Sequence, residues 1–329
     1  MTAFGLTTWA INRCSWAFGY NTYVNPYAVG DTVVIDNSVY DYSQPLIMTP
    51  DEQTLSADPM DLPDPSVPTA SLTAFDQARQ AFYAGDYESA LASTNDALQE
   101  NPNDAVIHEF RALTLFALGE YQDSAATLYA VLSVGPGWDW TTMAGLYPDV
   151  ATYTTQLRAL EKYVKENLDD TAGLLVLSYH YITAGHDDAA ASQLSRLVQL
   201  TPNDPVAIQL LLEVDPDATL PEVPQEIEPP KPDAPIAKAE LVGSWSAERD
   251  SRQFAMVLKE DDSFSWTYTE GDQSQQVTGI WNVDDQGVLA MEMNDEGVML
   301  AQLILKDGEL DFYMVGDTQG SPPLHFVNQ

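Results

Sequence analysis

Cysteine is almost missing from this chain: Cys14 is the only one among 329 residues, so no disulfide can form within it and the redox compartment cannot be read from its thiols. Basic residues are scarce, 13 Lys and Arg against 50 Asp and Glu, for a formal charge of −37. Acids outnumber bases 8 to 1 over residues 1–70, 19 to 6 over 71–214, 7 to 2 over 215–240 and 16 to 4 over 241–329. So even a spread argues for a solvated acidic coat rather than one acidic docking patch, and a saline environment that screens self-repulsion explains it equally well. Without a basic stripe, nucleic acid and anionic membrane surfaces are excluded as partners. No apolar run is long enough to span a bilayer. The start, Met1 to Ile11, is mildly apolar but has no basic leader. The chain is therefore expected to be cytoplasmic if that start is genuine, or to lie within a longer exported chain, which is the preferred expectation.

Signatures of catalysis are equally thin. The four histidines, His108, His180, His186 and His325, are scattered, and no His-Glu-x-x-His, Cys-x-x-Cys, phosphate-cradling glycine loop or Gly-x-Ser-x-Gly elbow occurs. The acidic pairs Asp261-Asp262 and Asp284-Asp285 lack the alternating oxygen-ligand spacing of a calcium loop and read as solvated turns. No catalytic, cofactor-binding or metal-binding residue is assigned, and His180, beside Tyr179 and Tyr181, reads as a packed aromatic-like side chain.

What is present is a period. Gly85, Tyr87 and Pro102 recur 34 residues later as Gly119, Tyr121 and Pro136, which defines units 71–104 and 105–138. Each marker has a mechanical reason: glycine turns the chain, small alanines let helices approach, and proline cannot extend a helix. Tyr87, Ala90, Leu91, Thr94, Ala97 and Leu98 follow the i, i+3, i+4, i+7 spacing of one buried face. A further unit, 171–204, keeps the register through Gly185, Ala190, Leu197 and Pro202, although Asp187 replaces the tyrosine. Between them, 139–170 reads as a degenerate unit with a clear second helix around 154–164, and 205–214 reads as a capping helix.

These residues resemble tetratricopeptide repeats over 71–214, which implies about four helix pairs, the third irregular, stacked into a superhelix. The first helix of each pair is then expected to line a concave groove with Phe75, Arg79 and Phe82; Glu109, Leu113 and Phe116; and Leu175, Tyr179 and Ile182. The set is mostly apolar, which suits an extended or helical hydrophobic guest and not a clamp for a terminal carboxylate. Equally open is a closed scaffold, its groove filled by the irregular third unit or by the chain's own segment Tyr40 to Ile47.

The remainder is of other kinds. Residues 1–70, aromatic and asparagine-rich and then acidic and proline-rich, are expected to be largely extended or disordered in isolation. Seven prolines between Pro216 and Pro235 make 215–240 a semi-rigid linker. From 241 to 329, short alternating runs such as Phe254–Leu258, Ser263–Tyr268 and Met299–Leu305 are separated by turns at Glu260-Asp261-Asp262, Gly271-Asp272, Asp284-Asp285-Gln286-Gly287, Asn294-Asp295-Glu296-Gly297 and Lys306-Asp307-Gly308. This predicts a small antiparallel β-barrel or sandwich of seven or eight strands. The fold class is thus α+β, a helical-repeat domain followed by a small β-domain.

The opening Leu241-Val242-Gly243-Ser244-Trp245 resembles the start of lipocalin-like domains. The segments Tyr-Asp-Tyr-Ser-Gln-Pro at 40–45, Gly-Trp-Asp-Trp-Thr-Thr-Met at 137–143 and Gln-Leu-Arg-Ala-Leu-Glu at 156–161, taken with that opening, resemble bacterial cell-surface or secreted tetratricopeptide proteins. That resemblance implies architecture and a location at the envelope or outside it, and carries over no catalytic residue. The reading is a non-enzymatic protein–protein interaction scaffold with an unnamed protein or peptide partner. A carrier of a small apolar ligand in the β-domain is the alternative, and an enzyme on a surface polymer, needing converging carboxylates, is a third.

Overall fold

The structure, a computed structural model, describes residues 18–20, 23–28, 40–46, 73–221, 230, 232, 234–271, 273–293, 297–315 and 322–329. Expectations for Met1 to Ile11, for Cys14, for the acidic stretch 49–68, for Ile47 and for the turn residues Asp272 and 294–296 lie outside the described residues. The chain forms two compact units, residues 23–223 and residues 1–22 with 224–329.

The first unit is helical: α1 (Ala74–Tyr83), α2 (Tyr87–Glu100), α3 (Ala105–Leu118), α4 (Tyr121–Leu132), α5 (Trp140–Gly145), α6 (Val150–Glu166), α7 (Thr171–Thr183), α8 (Asp187–Leu200) and α9 (Pro205–Val214). Aspartate starts most of these helices. Asp86, Asp104, Asp139, Asp149, Asp170 and Asp204 each accept a hydrogen bond from a backbone N–H of the first turn, which satisfies an orphan donor and places negative charge at the positive end of the helix. Gly119 ends α3 at φ 82°, a left-handed cap that glycine adopts without a Cβ clash. Of the predicted buried face of α2, Ala90, Thr94, Ala97 and Leu98 are buried, whereas Tyr87 and Leu91 are half-buried.

The irregular third pair is visible as the six-residue α5 and the seventeen-residue α6. Helix α7 packs directly against α4, so the regular pairs α1–α2, α3–α4 and α7–α8 follow one another and the irregular pair lies beside them. Helix α9 packs on α8 as the expected cap.

Two stretches of the N-terminal region dock on this unit. Asn25 donates from Nδ2 to the carbonyls of Ala126 (2.8 Å) and Tyr42 (3.1 Å), while Gln122 donates to the carbonyl of Tyr27 (2.8 Å). Tyr23 and Tyr27 pack on Tyr129. His108 Nε2 lies 2.9 Å from the Pro102 carbonyl, which can only accept, so the proton sits there and Nδ1 accepts from the Tyr42 hydroxyl at 2.8 Å. Burial keeps that imidazole neutral, its pKa lowered to about 4. Residues 40–46 turn rather than extend, with Gln44 N–H bonded to the Asp41 carbonyl.

The second unit is a closed antiparallel barrel of eight strands in sequence order: β1 (Gly243–Arg249), β2 (Arg252–Leu258), β3 (Ser263–Glu270), β4 (Gln273–Val283), β5 (Val288–Met293), β6 (Gly297–Lys306), β7 (Glu309–Met314) and β8 (Leu324–Asn328). Strand β1 closes on β8 at Trp245↔Asn328 and Ser246↔Val327, which resolves the choice between barrel and sandwich. Alternate residues face inward and fill the interior: Trp245, Phe254, Met256, Phe264, Trp266, Trp281, Met291, Leu303, Phe312 and Phe326 belong to one core. One end is covered by the short helix α10 (Lys238–Leu241), whose Leu241 carbonyl accepts from Trp245 Nε1 at 2.8 Å. Ile236, within the segment read as linker, belongs to the same core. Phe18 and Tyr20 join it from the N-terminal region, and burying a ring such as that of Phe18 contributes about 1.5–3 kcal/mol.

Gly279 on β4 is buried, and a Cβ there would run into the Glu292 carbonyl of β5. Gly279→Val should therefore lower the melting temperature of the barrel by about 10 °C or more, an overpacking penalty of about 2 kcal/mol, followed by tryptophan fluorescence. An unchanged melt would contradict this close strand approach.

Candidate functional site

In the regular repeat, the concave side is formed by the first helices, here α1, α3 and α7. Of the nine residues expected there, Phe75, Arg79, Phe82, Glu109, Leu113, Phe116, Leu175 and Tyr179 are buried within the unit, and only Ile182 is half-exposed. Phe75 and Phe82 both pack on Phe110 at 5.3 Å between ring centres. Arg79 lies over the Phe75 ring and pairs with Asp76 at 2.6 Å.

The residues that cover this side come largely from the stretch between α4 and α7. Tyr147 stands edge-on to Phe82 at 5.0 Å, and Tyr153, on α6, meets Tyr147 at 5.4 Å and Phe116 at 6.4 Å. His180 lies against Phe116 with ring centres 3.9 Å apart. Its burial pushes the pKa down to about 3, so it packs as the neutral aromatic-like ring the sequence suggested. The described residues 23–28 and 40–46 of the N-terminal region dock elsewhere: Tyr42 at His108 and Arg111, and Asn25 at Ala126, not at the nine groove positions. Of the two self-occupants considered, the irregular unit is the one found on the concave side.

Glu109 is the polar centre of this packing. Its Oε1 accepts from the Trp138 backbone N–H (2.6 Å) and from the Tyr179 hydroxyl (2.5 Å), and Gly137, at φ 77°, is pressed so closely between Glu109 and Tyr179 that a Cβ would meet both. Desolvation raises the Glu109 pKa from 4.5 to about 7, only partly offset by those two donors, and raises that of Tyr179 well above its usual value. The pair thus keeps its protons across most of the acid range and acts as a structural bridge.

Sequence reasoning missed Trp138, Tyr147 and Tyr153 as partners of these positions. The signal was the aromatic density of 138–153 in a stretch that fits the period poorly. Among the described residues no group of three or more His, Cys, Asp and Glu converges to hold a metal, and no helix is long and apolar enough to cross a membrane.

The pairing of helices and the left-handed glycines Gly85 and Gly119, 34 residues apart, agree with a comparison to family models, in which residues 75–137 match the tetratricopeptide repeat. Residues 75–137 are tetratricopeptide repeats. No curated protein and no solved structure matches the chain. The matched stretch runs from α1 through Gly137, so the tetratricopeptide segment carries the first two helix pairs and ends where the chain enters the aromatic stretch that covers their concave side.

A carboxyl whose pKa is higher folded than unfolded favours the fold fully below its unfolded value, and that advantage is lost as pH rises through the folded one. Wild type should therefore lose about 3 kcal/mol relative to Glu109→Gln between pH 4.5 and pH 8, measured by denaturant unfolding at each pH. A constant difference between the two proteins would contradict the buried, raised carboxyl.

Proposed function

We propose that the protein is a non-enzymatic interaction scaffold: tetratricopeptide repeats for a protein partner, together with a β-barrel, working at or outside the bacterial envelope. The tetratricopeptide match over 75–137 carries this reading, because stacked helix pairs of that kind present an extended surface to a peptide or protein. The location rests on the resemblance to cell-surface and secreted tetratricopeptide proteins alone. The acidic coat supports a protein partner rather than nucleic acid.

The concave side is apolar and aromatic but occupied in cis by Trp138 to Tyr153, so a partner there exchanges with the chain's own residues. Tyr147 is the most direct lever, since its ring meets Phe82 and its hydroxyl donates to Gln156 at 2.8 Å. Carriage of a small apolar ligand in the barrel is the second reading. The observation that bears on it is the apolar, aromatic interior lined by Phe254, Trp266, Phe312 and Phe326.

The test is capture from the envelope fraction of the source cell with full-length wild type and full-length Tyr147→Ala as baits. The expected result is one partner enriched several-fold on the variant. Identical capture by a variant that still folds would contradict a concave side in competition with its own covering residues.

A further inference from the structure

The barrel holds three residues of its own chain in a way that reads their sequence. Phe18 stacks on Phe264 (6.1 Å, 24° between planes) and stands edge-on to Trp266 (5.2 Å). Its carbonyl accepts from Trp266 Nε1 at 2.9 Å. Gly19 has φ 66°, and a Cβ there would fall within the Tyr268 ring, so the middle position accepts glycine alone on both conformational and steric grounds. Tyr20 packs on Phe312 (6.0 Å) with the Arg249 guanidinium over its ring (4.6 Å). Its hydroxyl accepts from Met314 N–H at 3.3 Å and donates to the Pro322 carbonyl at 3.4 Å, and its own carbonyl accepts from Arg249 Nη2.

We propose that this part of the barrel is a peptide-binding site selective for the order aromatic–glycine–tyrosine, that residues 18–20 are its resident occupant, and that a partner protein presenting the same order in a turn with a left-handed glycine exchanges with them. The receptor side is built from strand residues, Arg249, Phe264, Trp266, Tyr268, Phe312 and Met314, on β1, β3 and β7. Rigid strands fix that geometry independently of the guest. Trp266 is fully buried, so its indole N–H needs a carbonyl inside an otherwise apolar core, which makes a peptide a better guest than a hydrocarbon. The guest is joined to the barrel only through a long stretch of chain, so it can leave without unwinding a strand. This site rests on the barrel alone and is independent of the tetratricopeptide reading.

The test uses the full-length Gly19→Val chain, whose own occupant cannot seat, and a fluorophore-labelled synthetic peptide of residues 15–23 as probe. Saturable binding by anisotropy is expected, with wild type at least about 10-fold weaker because its resident segment competes, and with a peptide carrying Gly19→Val not binding. If the variant's barrel melts early, the peptide should raise its melting temperature. No binding to a folded variant up to about 1 mM, or no rise in the melting temperature of a destabilised one, would overturn the proposal. A doubled mass of wild type that excess peptide halves would overturn the partner protein as the source, in favour of exchange between two copies of this chain.

Discussion

The Glu109 carboxyl, shared between the Trp138 N–H and the Tyr179 hydroxyl, is the interaction on which the helical unit depends. An acid at an apolar interface is costly unless it is protonated or fully bonded, and here the connector after α4 supplies one bond and α7 the other. One side chain on α3 therefore fixes where the chain goes after the tetratricopeptide segment and where the next helix pair lies. Tyr147 and Tyr153 then close over Phe82 and Phe116, and α7 rests directly on α4. A peptide-binding array and a closed core use the same apolar positions. In this chain those positions are filled from within.

The surplus of acid has a local use. Six aspartates sit at helix starts, where each bonds a backbone N–H, and most of the other acids among the described residues lie at the surface. Asp204 is the one cap that is also buried, and desolvation raises its pKa to about 6 despite the Val206 and Ala207 N–H groups. Like Glu109, it is tolerated because it can hold a proton.

Much of the architecture was legible in the sequence, since repeat markers act locally. Gly119 turns the chain because only glycine adopts its conformation cheaply, and Ala90 and Ala97 are small where α2 meets its neighbours. The turns Asp284 to Gly287 and Lys306 to Gly308 separate strands for the same local reasons. What stayed hidden were contacts between distant parts without a period: Trp138 with Glu109, Tyr42 with His108, and Phe18 with Trp266. Nothing in the spacing of Phe18-Gly19-Tyr20 points to a barrel more than 200 residues away, and the barrel's own alternation is complete without it. The nine residues expected at the groove lie on α1, α3 and α7, and their exposure depends on what covers them, which is decided by the residues that break the repeat.

Hydrogen exchange at the Trp138 amide tests the closed concave side most directly. That N–H lies outside any helix, and its partner is the buried Glu109 carboxyl, so protection there reports the closure alone. The account predicts exchange at least about 1,000-fold slower than in an unstructured chain, equivalent to about 4 kcal/mol of opening. Exchange at the unprotected rate in a protein whose α3 amides stay protected would contradict it.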